Sequence, residues 1–104
     1  TFAVKKMIVL YKTPADTDAF MRHYREKHLP LVARIPGLAK TELTLIERTL
    51  MGEEGSFLLA ELYFADAESF RAAMKSQENA ATGADLANFA EGLATVMTGE
   101  VIEG

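Results

Sequence analysis

The sequence predicts an α+β fold: a four-stranded antiparallel sheet with helices on one face, in the ferredoxin-like split βαβ order β-α-β-β-α-α-β. Three observations predict it. Apolar residues alternate or run together in four segments that read as strands, and recur with helical spacing between them. Capping and turn residues fall at the junctions. No repeat, low-complexity tract or linker divides the 104 residues, so residues 1–104 read as one domain.

The first strand is read from Phe2 to Tyr11. Met7-Ile8-Val9-Leu10-Tyr11 is a continuous apolar run with β-branched members, as expected of a strand covered on both faces. Thr13-Pro14-Ala15-Asp16 stops it and supplies helix-start signals. Asp16 to Arg34 then reads as a helix. Measured from Phe20 at about 100° per residue, Leu31 lies at about 20°, Tyr24 at about 40°, Ile35 at about 60° and His28 at about 80°. Arg22, Glu26 and Ala33 lie opposite, and His23, at about 300°, sits at the margin of the apolar stripe. Pro30 lacks an N–H and its ring clashes with the carbonyl of Glu26, so a kink is expected there.

Ile35-Pro36-Gly37 ends the helix, with Gly37 as a left-handed cap. Leu38 to Leu50 reads as the second strand and Met51 to Ser56 as a polar hairpin loop. Phe57 to Phe64 alternates most cleanly, with Phe57, Leu59, Glu61 and Tyr63 on one face and Leu58, Ala60, Leu62 and Phe64 on the other. Asp66 is the N-cap of a short helix from Ala67 to Lys75, with Phe70, Ala73 and Met74 inward. Ser76 to Glu91 gives a further helical stretch anchored by Leu86, Phe89 and Ala90. Gly92 breaks it, and Leu93 to Ile102 reads as the last strand.

A sheet of this kind carries its helices on one face, yet its central strands here are apolar on both. A single helical layer leaves the second face open, and a large open apolar patch marks an interface. The expectation is a homodimer with the two sheets face to face.

Composition narrows the function. Lys plus Arg total 11 against 15 Asp plus Glu, a net charge of -4, which disfavours nonspecific nucleic-acid binding and attraction to an anionic membrane. The absence of cysteine excludes disulfides, thiolate nucleophiles, Fe–S clusters and Cys-type zinc sites. No run reaches the roughly 18 apolar residues of a membrane span. The residues from Thr1 to Lys6 lack the pattern of a signal peptide, an initiator Met is expected ahead of Thr1, and the expected location is the cytoplasm.

Ser56, Ser69 and Ser76 sit in no nucleophile-elbow pattern, and no Gly-rich phosphate loop is present. His23 and His28 are five residues apart and diverge by about 140° on an α-helix, whereas a helical metal pair wants i,i+4 spacing. No metal site is expected. His28 is the natural acid/base group at neutral pH. It lies on the inward face one turn after Tyr24 and just before Pro30, where a freed carbonyl can fix its tautomer; a purely structural histidine is the alternative. Glu61 sits mid-strand on an otherwise apolar face. It faces either a ligand or a Lys or Arg on a neighbouring strand or partner. Tyr11, Tyr24 and Tyr63, with Phe20 and Leu31, are packing residues that together can line a pocket for a planar ligand.

The segments Met7 to Lys12, Phe20 to Leu31 and Ile35 to Leu38, followed by Glu61-Leu62-Tyr63-Phe64, Ser69-Phe70 and Asp85-Leu86-Ala87-Asn88-Phe89, resemble the EthD family in order along almost the whole chain. The Tyr24–His28–Pro30 segment is the most specific part. The resemblance implies a dimeric α/β barrel of two ferredoxin-like units. It also implies kinship with cofactor-free monooxygenases, isomerases, cyclases and dehydratases, and with haem proteins. Two expectations follow for a small hydrophobic, aromatic or enolisable ligand. One is a cofactor-free enzyme or enzyme accessory with His28 as acid/base and Tyr24 as orienting or donating group. The other is a non-catalytic dimeric carrier. Haem held by His28 is a third reading.

Overall fold

The computed structural model describes residues 3–104. Four strands, β1 (Lys5–Lys12), β2 (Leu38–Leu45), β3 (Ser56–Phe64) and β4 (Ala94–Glu100), form one sheet in the order β2-β3-β1-β4. Every neighbouring pair is antiparallel. The order of elements is that of the split βαβ, so the fold is ferredoxin-like α+β. The Phe2 start read for the first strand lies outside the described residues. The second strand stops at Leu45 rather than Leu50, with one further bond from Ile46 N–H to the Phe57 carbonyl.

The first helical region is not one α-helix. It divides into α1 (Thr17–His23), a π-helical turn (Tyr24–His28) and α2 (Leu29–Val32). Asp16 is the N-cap, its carboxylate accepting from the Ala19 N–H at 3.0 Å. Across the π turn, Leu29 N–H bonds to the Tyr24 carbonyl, five residues back. Pro30 is the physical reason: it cannot donate to Glu26, and widening the turn makes room for its ring. The widened turn holds one extra residue, which shifts the register beyond it. Val32, not Leu31, is therefore the buried residue of α2.

Asp66 and Ser76 cap α3 (Ala67–Met74) and α4 (Gln77–Phe89), accepting from Ser69 N–H at 2.8 Å and Asn79 N–H at 3.1 Å. Gly92, at φ 74°, takes the left-handed conformation in the turn before β4. The core lies between sheet and helices: Met7, Val9 and Tyr11 from β1, and Leu58, Ala60, Leu62 and Phe64 from β3, against Phe20, Tyr24, Val32, Ile35, Ala73 and Ala90. The opposite face of the sheet carries Ile8, Leu10, Leu59 and Met97, which no helix of this chain covers. No described helix is long and apolar enough to cross a membrane.

Candidate active site

His28 and His23 meet on one carboxylate. On a regular α-helix residues five apart diverge, but the π turn closes at five residues and brings the two imidazoles to the same side. His28 Nδ1 lies 2.9 Å from Asp85 Oδ2. His23 Nε2 lies 3.0 and 3.1 Å from the two oxygens of the same group. The Asn88 amide donates to Oδ1 at 3.0 Å, from one turn further along α4. Phe89 presses on both rings, stacked on His23 at 4.6 Å and tilted against His28 at 5.0 Å.

Burial pushes the Asp85 carboxyl up, but the hydrogen bonds from Asn88, His28 and His23 outweigh it and hold it below the usual carboxylate range. Burial pushes His28 down, against the opposing hydrogen bond and charge of Asp85. The pair at neutral pH is therefore a carboxylate and a neutral imidazole. An ionised carboxylate only accepts, so Nδ1 carries the proton and Nε2 holds the lone pair. No described side chain pairs with Nε2, and no sealed polar side-chain atom lacks a partner. The nitrogen thus opens onto free space.

His28 lines a cavity of about 110 Å³ between the sheet and α4. Met7, Val9, Ala60, Leu62, Val32, Leu86 and Val96 give it an apolar lining, and Tyr11, Tyr24, His28, Asn79 and Thr82 give it polar points. The two phenols meet edge to face at 5.7 Å, and Tyr24 lies 5.3 Å from the His28 ring. Burial pushes the Tyr24 phenol up to about 12, although the facing Tyr11 hydroxyl acts the other way. Burial also pushes Tyr11 up, reinforced by Tyr24 and Asp85. Both are protonated donors at neutral pH. The cavity is smaller than the roughly 150 Å³ that encloses one benzene ring, so a bound ring would reach into the mouth. Among the described residues no cluster of three or more His, Asp or Glu side chains is placed to hold a metal.

The model of the EthD domain family matches residues 12–92. An uncharacterized 11.0 kDa protein from the thcB-thcC intergenic region of Rhodococcus erythropolis is 34% identical over 92 residues, covering 88% of this chain and 89% of that one. The crystal structure of an EthD family protein from Bacillus halodurans superposes with a TM-score of 0.87 at 41% identity, covering 95% and 99% of the two chains. The chain belongs to the EthD family. Two more distant structures share the fold alone. A dimeric ferredoxin-like protein of unknown function from Thermobifida fusca has a TM-score of 0.69 at 15% identity, covering 97% and 93%. A cofactor-independent oxygenase from Streptomyces nogalater has 0.61 at 17%, covering 99% and 94%.

Of the residues singled out in the sequence of this EthD domain, the cavity gathers His28, Tyr24 and Tyr11. Phe20 stands behind them, edge-on to Tyr11 at 5.3 Å and parallel to Tyr24 at 6.1 Å, without lining the cavity. Leu31 turns away, because of the register shift in the π turn, and borders a shallow depression with Arg34 and Ala81. Glu61 and Tyr63 lie on the other face of the sheet. There Glu61 meets Lys6 at 2.5 Å and Tyr63 sits under Lys40 at 4.5 Å. Asp85 was not among the residues the sequence singled out as a candidate for chemistry. Its signal was a carboxylate at position i+3 from Thr82 and i−4 from Phe89, on the buried side of α4.

Proposed function

We propose that this EthD domain is a cofactor-free acid/base catalyst for a small hydrophobic or aromatic, enolisable metabolite, with His28 Nε2 as the base. The observation that carries this reading is the 2.9 Å contact from His28 Nδ1 to Asp85, which leaves the lone pair of Nε2 beside an apolar cavity. The arrangement follows the logic by which an aspartate orients a catalytic histidine. Nε2 takes a proton from a C–H next to a carbonyl, and the electron pair of that bond stays on the ligand as an enolate. The imidazolium so formed sits against the Asp85 carboxylate. The Tyr24 hydroxyl, protonated at neutral pH, donates to the enolate oxygen. Return of the proton to a different carbon completes an isomerisation. Proton transfer of this kind contributes about 10²–10⁴-fold, which suits an activated ligand and not an amide.

The open apolar face of the sheet supports a homodimer, in keeping with the dimeric state of the Thermobifida fusca protein that shares the fold. No nucleic-acid or membrane partner enters the reading, given the net charge of -4.

The test is exchange of the α-protons of 2-cyclohexenone into heavy water. The wild type is expected to bind the ketone and accelerate exchange, and His28→Ala to bind it but lose about 10²–10⁴ of the acceleration. Equal exchange by both proteins overturns the assignment of His28. Binding without exchange in the wild type overturns catalysis in favour of a carrier.

A further inference from the structure

Gly83 stands in the middle of α4, where glycine is the poorest helix former after proline. None of the usual reasons for a glycine applies there. Its backbone is not left-handed. A Cβ placed on it meets no atom within 4 Å, so no neighbour requires a close approach. Gly83 is exposed and yet lines the same cavity as His28. Val96 of β4, also lining that cavity, is 50% exposed.

We propose that the gap between Gly83 and Val96 is the port of the cavity, and that the missing side chain at residue 83 sets the girth of what passes. Asn79 and Leu86 flank it, and no charged side chain other than the titratable His28 lines the space behind. The admitted class is therefore a small, flat, uncharged molecule. The proposal rests on the reading of this cavity as a ligand site, and it names the residue that selects the ligand by size.

The absence of cysteine allows a direct test. Ala60 lies on the cavity floor and is 1% exposed. In Ala60→Cys, the rates of modification by methyl and benzyl methanethiosulfonate report arrival through the port. Gly83→Ala is expected to slow the benzyl reagent more than the methyl one. Gly83→Phe is expected to slow both by about an order of magnitude, while thermal stability holds or rises because either residue is a better helix former. Rates unchanged by Gly83→Phe, or a thiol that neither reagent reaches in the parent, overturn the proposal. If Ala60→Cys does not fold, Val9→Cys places the thiol on the neighbouring strand of the same lining. The thiol reaction needs no chemistry at His28, so failure of the port and failure of the base are separate results.

Discussion

The helix side of the sheet holds Asp85 and the open side holds Glu61. Both carboxylates are well shielded, at 9% and 14% side-chain exposure. Glu61 is matched by the Lys6 ammonium at 2.5 Å, a cation throughout the neutral range. Asp85 is matched by N–H groups: an amide and two imidazoles, of which His28 is held neutral by burial. The Glu61 charge is already compensated. The Asp85 charge is held by hydrogen bonds from Asn88, His28 and His23, and in the proposed reaction it stabilises a proton arriving at His28. One carboxylate pairs with an ammonium and the other with two imidazoles and an amide, and the difference lies in the partner rather than in the depth of burial.

The comparison breaks first at Asp85. Asp85→Ala leaves the buried His28 Nδ1–H without an acceptor, and is expected to cost about 3 kcal/mol in urea unfolding. Asp85→Asn keeps the shape but removes the charge. It should lower proton exchange on the ketone by about 10²–10⁴-fold, as removing the base itself does. Glu61→Gln keeps a side-chain oxygen that can accept from Lys6, so it should lower stability by less than Asp85→Ala does, and leave exchange unaltered. An equal loss at both carboxylates would refute the distinction between them.

A second test asks what covers the open face. Leu59 lies at its centre beside Leu10 of β1. Leu59→Asp is expected to convert a dimer into a monomer in sedimentation velocity at micromolar concentration, because a buried unpaired charge opposes association. Leu50→Asp, at a position 83% exposed outside the sheet, should leave the dimer intact. A wild-type monomer at that concentration removes the dimer altogether.

How much of this was legible in the sequence follows from the range of each interaction. Element order depends on local periodicity, and the strands, the cap at Asp66 and the break at Gly92 read directly. Tyr24, His28 and the core of β1 and β3 followed from the same periodicity. What escaped was the π turn, because Pro30 says only that the α-ladder fails, not how the chain repairs it. That one step moved Val32 into the place expected of Leu31 and turned two diverging histidines into neighbours. Asp85 escaped because its partner His28 is 57 residues away, a separation no periodicity spans. Glu61 was read as either facing a ligand or paired with a base, and the neighbouring Lys6 on β1 decides for the pair.

The smallest expected effect separates the two faces along the pH scale. His28 is pushed below its ordinary 6.5, so between its folded and unfolded values the unfolded chain binds the additional proton. Stability from this group is complete above about pH 6.5 and is lost as pH falls through the folded value. Asp85, held below its ordinary 3.8, adds a second loss in the same direction at lower pH. Lys6 runs the other way. The hydrogen bond from its ammonium to Glu61 raises it above its ordinary 10.5, against burial, so its contribution is complete below that pH and lost as pH rises through the folded value. Urea midpoints should therefore fall at the acid end through the helix side and at the alkaline end through the open side. His28→Gln is expected to flatten the limb just below pH 6.5 alone, and Lys6→Met the limb above 10.5 alone. If either substitution flattened both limbs, the two carboxylates would belong to one coupled network across the sheet, and the helix side could no longer be separated from the open side.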